Sequence, residues 1–232
     1  GGCSAHVEPQ HYKAYEERYK QVHKENMLWA SILNTPDIIK FINDYKITAY
    51  DRILDLGCGE GRDAIYLLDK GYNVLAIDYS ISAINMCNKL SNNKYIESFK
   101  RLDIIEDTLD EKFKYIYSIA VLHMFVLSEH RNKYFSFIRN HLEDNGRCLL
   151  CVIGNGKQNY QSDIKEAFKN TERTIMNNNT KINVATTSCK IVDWKTLEQE
   201  ILDNGLIIEK KWISKYVPEF NESMCVVVKK NV

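Results

Sequence analysis

From residue 52 to residue 153, short apolar runs alternate with segments of helical periodicity, and this alternation is what most narrows the folds open to the chain. RILDL (52–56), NVLAID (73–78), SFKRLD (98–103), KYIYSIAV (114–121) and RCLLCVI (147–153) have the length and residue types of strands. Between them, 62–70, 80–90 and 128–142 read as helices, and Gly71 directly after Lys70 suits a helix C-cap. Strands separated by helices are joined by right-handed crossovers and lie parallel. Farther on, a helix over 193–204 precedes LIIEKKW (206–212) and MCVVVKK (224–230). These two strands, with no helix between them, can pair antiparallel. The expected fold class is α/β: a doubly wound, mostly parallel seven-stranded sheet with an antiparallel C-terminal strand.

Two segments stand outside this rhythm. Tyr12, Tyr15, Tyr19 and Val22 recur at three and four, one face of a helix. Thr35-Pro36-Asp37 reads as a cap followed by proline at the first helical position, with Ile38, Ile42 and Tyr45 on one face. Residues 10–45 are therefore expected to form a helical cap. Beyond Ile153 the pattern breaks for roughly thirty-five residues, too long for a connector, which marks 154–190 as an insertion with a helix expected over 163–176. A chain of 232 residues, 44% hydrophobic, can bury one sizeable core, so 1–232 is expected to be a single domain.

The joint between the first strand and the first helix is ILDLGCGEGRDA (53–64), with glycines at 57, 59 and 61. Glycine takes positive φ and lets a ligand lie against the main chain where a Cβ would stand. In an open parallel sheet this joint sits at the carboxyl edge, where ligands bind. A tight turn alone also asks for glycine, so the neighbouring residues decide. Asp78 ends the second strand and can accept hydrogen bonds from both hydroxyls of an adenosine ribose. Asp103 ends the third, where an acid can meet an adenine amino group. Either could instead be a solvated strand end, and Ser80 after Asp78 is a good N-cap. Together with Asp55, however, they put acids at three consecutive strand ends, which an adenosine site explains at once.

The loop also says which adenosine cofactor fits. A dinucleotide site has G-x-G-x-x-G, and the helix start after it supports a pyrophosphate. Here Gly57-Cys58-Gly59-Glu60-Gly61-Arg62 brings the third glycine one position early and sets Glu60 inside the loop. That acid would repel a pyrophosphate and tolerate a sulfonium with an ammonium group, the charges of S-adenosylmethionine.

The segment 53–84 closely resembles the glycine loop and second-strand acid of class I S-adenosylmethionine-dependent methyltransferases. GEGRDA (59–64), with EERY (16–19), Trp29 and Pro36 upstream, is most similar to the tellurite-resistance and thiopurine methyltransferase branch, which acts on small molecules. The likeness covers about 52–153, with weaker support over 206–230. It implies a Rossmann-like methyltransferase that takes S-adenosylmethionine and releases S-adenosylhomocysteine. It would set Asp55 near the methionine amino group and the backbone of Gly57, Cys58 and Gly59 along the methionine and ribose. Asp78 would bind the ribose, Tyr79 would flank the adenine, and Asp103 and Ile104 would hold its edge and face. Ala120 would meet the methionine end. Tyr19 and Trp29 would close the pocket from the cap, unless they are a packing stripe.

Methyl transfer is an in-line displacement that asks the protein for alignment, water exclusion and, for some acceptors, removal of one proton. In SIAVLHMF (118–125) His123 falls where an acceptor would approach, so it is the candidate base, with an orienting or space-filling role as the alternative. No Asn-Pro-Pro-Tyr-like element follows the fourth strand and no Asp ends it, so neither a DNA base nor a metal is expected. Cys148 and Cys151 point to opposite faces of a strand, which argues against zinc. His130 and Arg131 read as solvated surface. The insertion lies on the carboxyl edge and is expected to act with the N-terminal helix as a lid.

The rival readings are a nicotinamide-dependent oxidoreductase, disfavoured by the early third glycine, and a non-catalytic S-adenosylmethionine-binding module. Lys plus Arg equals Asp plus Glu at 31 each, which weighs against a general nucleic-acid or membrane binder. No apolar run is long enough for a bilayer and the seven cysteines are scattered, so the expected setting is the cytoplasm and the expected partner a small molecule.

Overall fold

The computed structural model describes residues 10–162, 169–174, 181–185 and 187–232. A short 3-10 turn leads into α1 (Ala14–Lys24), and α2 (Pro36–Tyr45) completes the cap. The alternating run is β1 (Arg52–Leu56), α3 (Arg62–Asp69), β2 (Asn73–Asp78), α4 (Ile81–Leu90), β3 (Phe99–Arg101), β4 (Phe113–Ile119), α5 (Ser128–His141) and β5 (Leu142–Ile153). Within the insertion lie β6 (Tyr160–Gln161), β7 (Asn170–Thr174) and β8 (Lys181–Ala185). Then come β9 (Lys190–Ile191), α6 (Trp194–Asp203), β10 (Leu206–Ser214) and β11 (Ser223–Lys230).

One expectation fails in the insertion. Of the helix expected over 163–176, residues 163–168 and 175–176 lie outside the described residues, and Asn170–Thr174 is a strand paired antiparallel with β8. Its threonines favour extended backbone, and a strand partner satisfies its main-chain groups without any apolar helical stripe.

The seven-stranded sheet runs β10-β11-β5-β4-β1-β2-β3. β1 pairs parallel with β2 and β4, β2 with β3 and β4 with β5, while β11 is antiparallel to both β5 and β10. The chain winds outward from β1 on one side and returns to β4 on the other, so the β1–β4 boundary is the topological switch point. A crevice opens there, beyond the carboxyl ends of the strands.

Strand alternation divides the core into two layers. Leu54, Leu56, Ile77 and Ile116 pack on one face, and Ile53, Val74, Ala76 and Tyr117 on the other. Cys148 and Cys151 fall into different layers, as period-two geometry requires. Ser80 caps α4 by accepting the Ala83 N–H at 3.0 Å, and Gly71 takes a φ of 89° just past α3.

His130 and Arg131 are buried, contrary to the solvated reading. Arg131 donates from Nε and Nη2 to the two oxygens of Glu200 on α6 at 2.7 and 2.9 Å. Its Nη1 donates to the carbonyls of Leu122 and Phe125 at 3.1 and 3.0 Å. One cation thus fastens α5, α6 and the turn after β4, and a polar helix start faces inward because it carries this fork. Removing one partner of a buried pair costs about 3–5 kcal/mol; the Glu200 side chain is 19% exposed and can regain some water. Arg131→Met is therefore expected to lower unfolding free energy by about 2–3 kcal/mol in urea titration. A loss below about 1 kcal/mol, the scale of a surface pair, would show that the fork is not structural.

Candidate cofactor and acceptor site

The glycine loop is folded by its neighbours. Gly57 and Cys58 donate their N–H groups to the Ile77 carbonyl, both at 2.9 Å. Gly57 has a φ of 79°, and a Cβ there would come within 2.4 Å of a Val121 methyl, so glycine is required by backbone and by space. Asp78, at the end of β2, takes the Gly59 N–H on one oxygen at 2.8 Å and the Ser80 N–H on the other at 2.9 Å. Its carboxylate therefore sets the loop and the start of α4 while part of its surface stays open to the crevice. Burial pushes its pKa up to about 6, with Glu16 and Glu60 adding to the rise and the two N–H donors opposing it.

A cavity of about 370 Å³ lies at the switch point, and every residue singled out from the sequence lines it. From the ends of β1 and β2 come Asp55, Gly57, Cys58, Gly59, Asp78 and Tyr79; from the ends of β3 and β4 come Asp103, Ile104, Ala120 and His123; from the cap come Tyr19 and Trp29. Asp55 is buried and accepts the Tyr117 hydroxyl at 2.8 Å; burial first, then Asp63, holds its pKa well above the ordinary carboxylate range. Asp103 accepts the Tyr12 hydroxyl on both oxygens, at 3.1 and 2.9 Å. Ala120 has a φ of 57°, rare for a residue with a side chain, right where β4 opens into the cavity.

His123 is buried, with Nε2 at 3.3 Å from the Tyr15 hydroxyl and, among the described residues, no hydrogen-bond partner for Nδ1. Burial, then the charges of Arg131 and Arg18, push its pKa down to about 3. The imidazole is neutral throughout the physiological range, a weaker base than its unperturbed value suggests.

The polar residues of GEGRDA turn to the cap. Glu60 accepts the Trp29 N–H at 3.0 Å, the Ala30 N–H at 2.7 Å and pairs with His23 Nε2 at 2.7 Å. Asp63 accepts both the N–H and the hydroxyl of Thr35, at 2.6 and 2.9 Å, so Thr35 does not cap α2 with its own side chain. Arg62 grips Glu219 at 2.6 and 2.7 Å, and Glu219 takes the Ser31 N–H at 2.6 Å. Residues 29–35 are thereby pinned across the start of α3. Sequence reasoning placed Glu60 in the loop as a repulsive charge and did not see this fastening, nor the cavity positions of Tyr12, Tyr15 and Phe220. The tyrosine stripe of 12, 15 and 19 was the available signal; Phe220 had none.

A family model described as tellurite resistance protein TehB matches residues 21–187. The chain is 30% identical over 143 residues to a phosphoethanolamine N-methyltransferase of Plasmodium falciparum (isolate 3D7), covering 59% of this chain and 52% of that protein. It is 26% identical over 145 residues to a probable S-adenosyl-L-methionine-dependent methyltransferase TehB of Haemophilus influenzae (strain ATCC 51907 / DSM 11121 / KW20 / Rd), covering 58% and 50%. The chain thus spans about half the length of these relatives. In fold it is similar to a S-adenosylmethionine-dependent methyltransferase from Clostridium acetobutylicum ATCC 824, at TM-score 0.61, 19% identity and coverage of 95% and 99%. It is also similar to the Burkholderia thailandensis 1,6-didemethyltoxoflavin-N1-methyltransferase, at TM-score 0.67, 14% identity and coverage of 94% and 88%.

If Glu60 is the clasp of the cap, Glu60→Ala should raise hydrogen exchange at the Trp29 and Ala30 amides by about ten- to a hundredfold, since one charge-assisted bond of roughly 1.5–3 kcal/mol is lost at each. Amides in β1 and β4 should keep their protection. Unchanged exchange at Trp29 and Ala30 would show that the cap is held by apolar packing instead.

Proposed function

The chain belongs to the TehB family, and on that premise we propose that it transfers the methyl group of S-adenosylmethionine to a small-molecule acceptor. The observation that carries this reading is the pinning of 29–35 across the start of α3 by Glu60 and Asp63. A dinucleotide needs that helix start for its pyrophosphate; a nucleoside with a short cationic arm does not. The nicotinamide reading loses its seat on this ground.

The residues present fit such a cofactor. Asp78 has lone pairs left for two ribose hydroxyls after serving Gly59 and Ser80. Asp103 and Ile104 face the adenine, with Tyr79 beside it. Asp55 and the backbone of Gly57, Cys58 and Gly59 face the methionine arm, and the nearby carboxylates favour its ammonium and sulfonium charges. Ala120 stands at the methyl end, and Tyr19 and Trp29 close the cavity from the cap.

When bound, the cofactor supplies a methyl group already activated by positive sulfur, so the protein's own work is alignment and exclusion of water. His123, kept neutral by burial and then by the charges of Arg131 and Arg18, orients the acceptor by hydrogen bonding. An acceptor that arrives with a free electron pair needs no stronger base. Val184 of the insertion packs against Val22 of α1, with Met27 and Trp29 alongside, which supports the insertion and cap acting as one lid over the single domain. The reaction so drawn calls for no metal and suits a cytoplasmic enzyme. Among the described residues no helix is long and apolar enough to cross a membrane.

Calorimetric titration with S-adenosylhomocysteine, and with NADH in parallel, tests the reading. Binding of the first alone is expected; binding of NADH alone would overturn it. Asp78→Ala should weaken S-adenosylhomocysteine by more than about a hundredfold, because two charge-assisted bonds are worth roughly 3 kcal/mol or more. Turnover with any acceptor separates the enzyme from a non-catalytic binding module.

The same titration carries a pH signature. With its pKa raised to about 6, Asp78 holds a proton below that pH and loses it above. Ligand hydroxyls need the ionised form, so affinity should fall about tenfold from pH 7.5 to pH 5. In the free chain the sign is opposite for stability: the raised group favours the folded state below its ordinary 3.8 and that contribution is gone above about 6. Flat affinity across this range would remove Asp78 from the contact.

A further inference from the structure

A second hollow of about 340 Å³ shares a wall with the first: both are lined by Glu219 and Phe220. Its other sides come from Asn155 and Gln158 at the start of the insertion, from Ile191 beyond it, and from Asn221 and Glu222 before β11. None of the described residues of 157–187 lines the first cavity, whereas the start of the insertion lines the second.

The partition is built, not incidental. Glu219 adopts a φ of 73°, a strained conformation for a residue with a side chain. It is held there by Arg62 from the glycine-loop helix and by the Ser31 N–H from the cap. This anchor presents Phe220 beside His123, with ring centroids 6.3 Å apart at 67°. The cofactor-side cavity, about 370 Å³, is near the lower end of whole-ligand pockets, about 300–1,000 Å³.

We propose that Phe220 is a side-chain gate between the two hollows, which turns aside so that the acceptor's reacting atom meets the methyl group in line beside His123, and that the second hollow holds the remainder of the acceptor, taking a neutral polar or cationic group. The inference rests on the methyltransferase reading above. Its charge preference follows from the lining: Asn155, Gln158 and Asn221 offer amides, Glu219 is neutralised by Arg62, and Glu222 is the remaining charge. An anionic group would meet Glu222 with no cation among the described residues that line the hollow.

The test needs no knowledge of the natural acceptor. S-adenosylhomocysteine and nitrogen-for-sulfur analogues carrying benzyl, 4-(aminomethyl)benzyl or 4-carboxybenzyl at the methyl position are titrated into the whole chain, Phe220→Ala, Phe220→Leu and the Phe220→Ala/Glu222→Gln double variant. The unaltered chain should bind S-adenosylhomocysteine and reject the benzyl analogue by about tenfold or more, the scale of overpacking a closed wall. Phe220→Ala should close most of the gap between the benzyl analogue and S-adenosylhomocysteine, both measured in that variant, and Phe220→Leu part of it. In Phe220→Ala the aminomethyl analogue should outbind the carboxy analogue, and Glu222→Gln should erase the difference.

Equal binding of S-adenosylhomocysteine and the benzyl analogue by the unaltered chain, or no recovery in either Phe220 variant, overturns the partition. Recovery without charge preference overturns the assigned chemistry of the hollow. Failure of the unaltered chain to bind S-adenosylhomocysteine at all sinks the methyltransferase reading itself, a result distinct from both.

Discussion

Three carboxylates that accept main-chain N–H groups from one strip of the cap hold the site in shape. Glu60, Asp63 and Glu219 receive Trp29, Ala30, Ser31 and Thr35, and Arg62 ties Glu219 to the start of α3. Bonds from an N–H to a charged acceptor are stronger than neutral ones, and buried main-chain groups without a partner would be costly. The strip between α1 and α2 has no regular structure of its own in which to satisfy them. Without these acceptors it would have to stay in water, and the cavity would lose the wall that Tyr19 and Trp29 supply.

The same geometry concentrates acids at the switch point, which carries an electrostatic cost. Asp55, Asp63 and Asp78 are all pushed upward in pKa, with burial the first cause in each case. A sheet edge that collects so many buried carboxylates is poised for a ligand bringing positive charge and hydroxyl donors. At the far end burial, then the charges of Arg131 and Arg18, lowers the pKa of His123 and leaves it neutral. The acidic side of the cavity is thus the side of the strand ends, which suits a cofactor with a cationic sulfur.

Much of the fold could be read from the sequence because its signals were local. β1 and β2 occupy the expected residues 52–56 and 73–78, since short runs bounded by turns and glycine leave few alternatives. The cavity-lining acids were legible for the same reason: a strand end in a parallel sheet has a known destination. What stayed hidden depends on tertiary partners. Arg131 looked solvated until Glu200, 69 residues away, supplied its match. Phe220 sits in an irregular turn whose shape is fixed by Arg62, 157 residues from Glu219. The 163–176 helix failed because hairpin pairing of its described part, not periodicity, decides the state of a polar segment.

That division between local and distant signals bears on how such a chain acquires a substrate. The donor end is specified by residues on consecutive strand ends, each fixed by the sheet itself. The second hollow is assembled from the start of the insertion, Ile191 beyond it and the turn between β10 and β11, segments with no shared register. Changing the insertion or the turn would alter the second hollow while leaving Asp78, Asp103 and the glycine loop in place. Glu219 is where the two systems meet, because it is gripped by Arg62 beside the glycine loop while it aims Phe220 at His123. The cap and the turn that carries Phe220 are therefore joined at Glu219, which takes the Ser31 N–H from one side and the Arg62 guanidinium from the other.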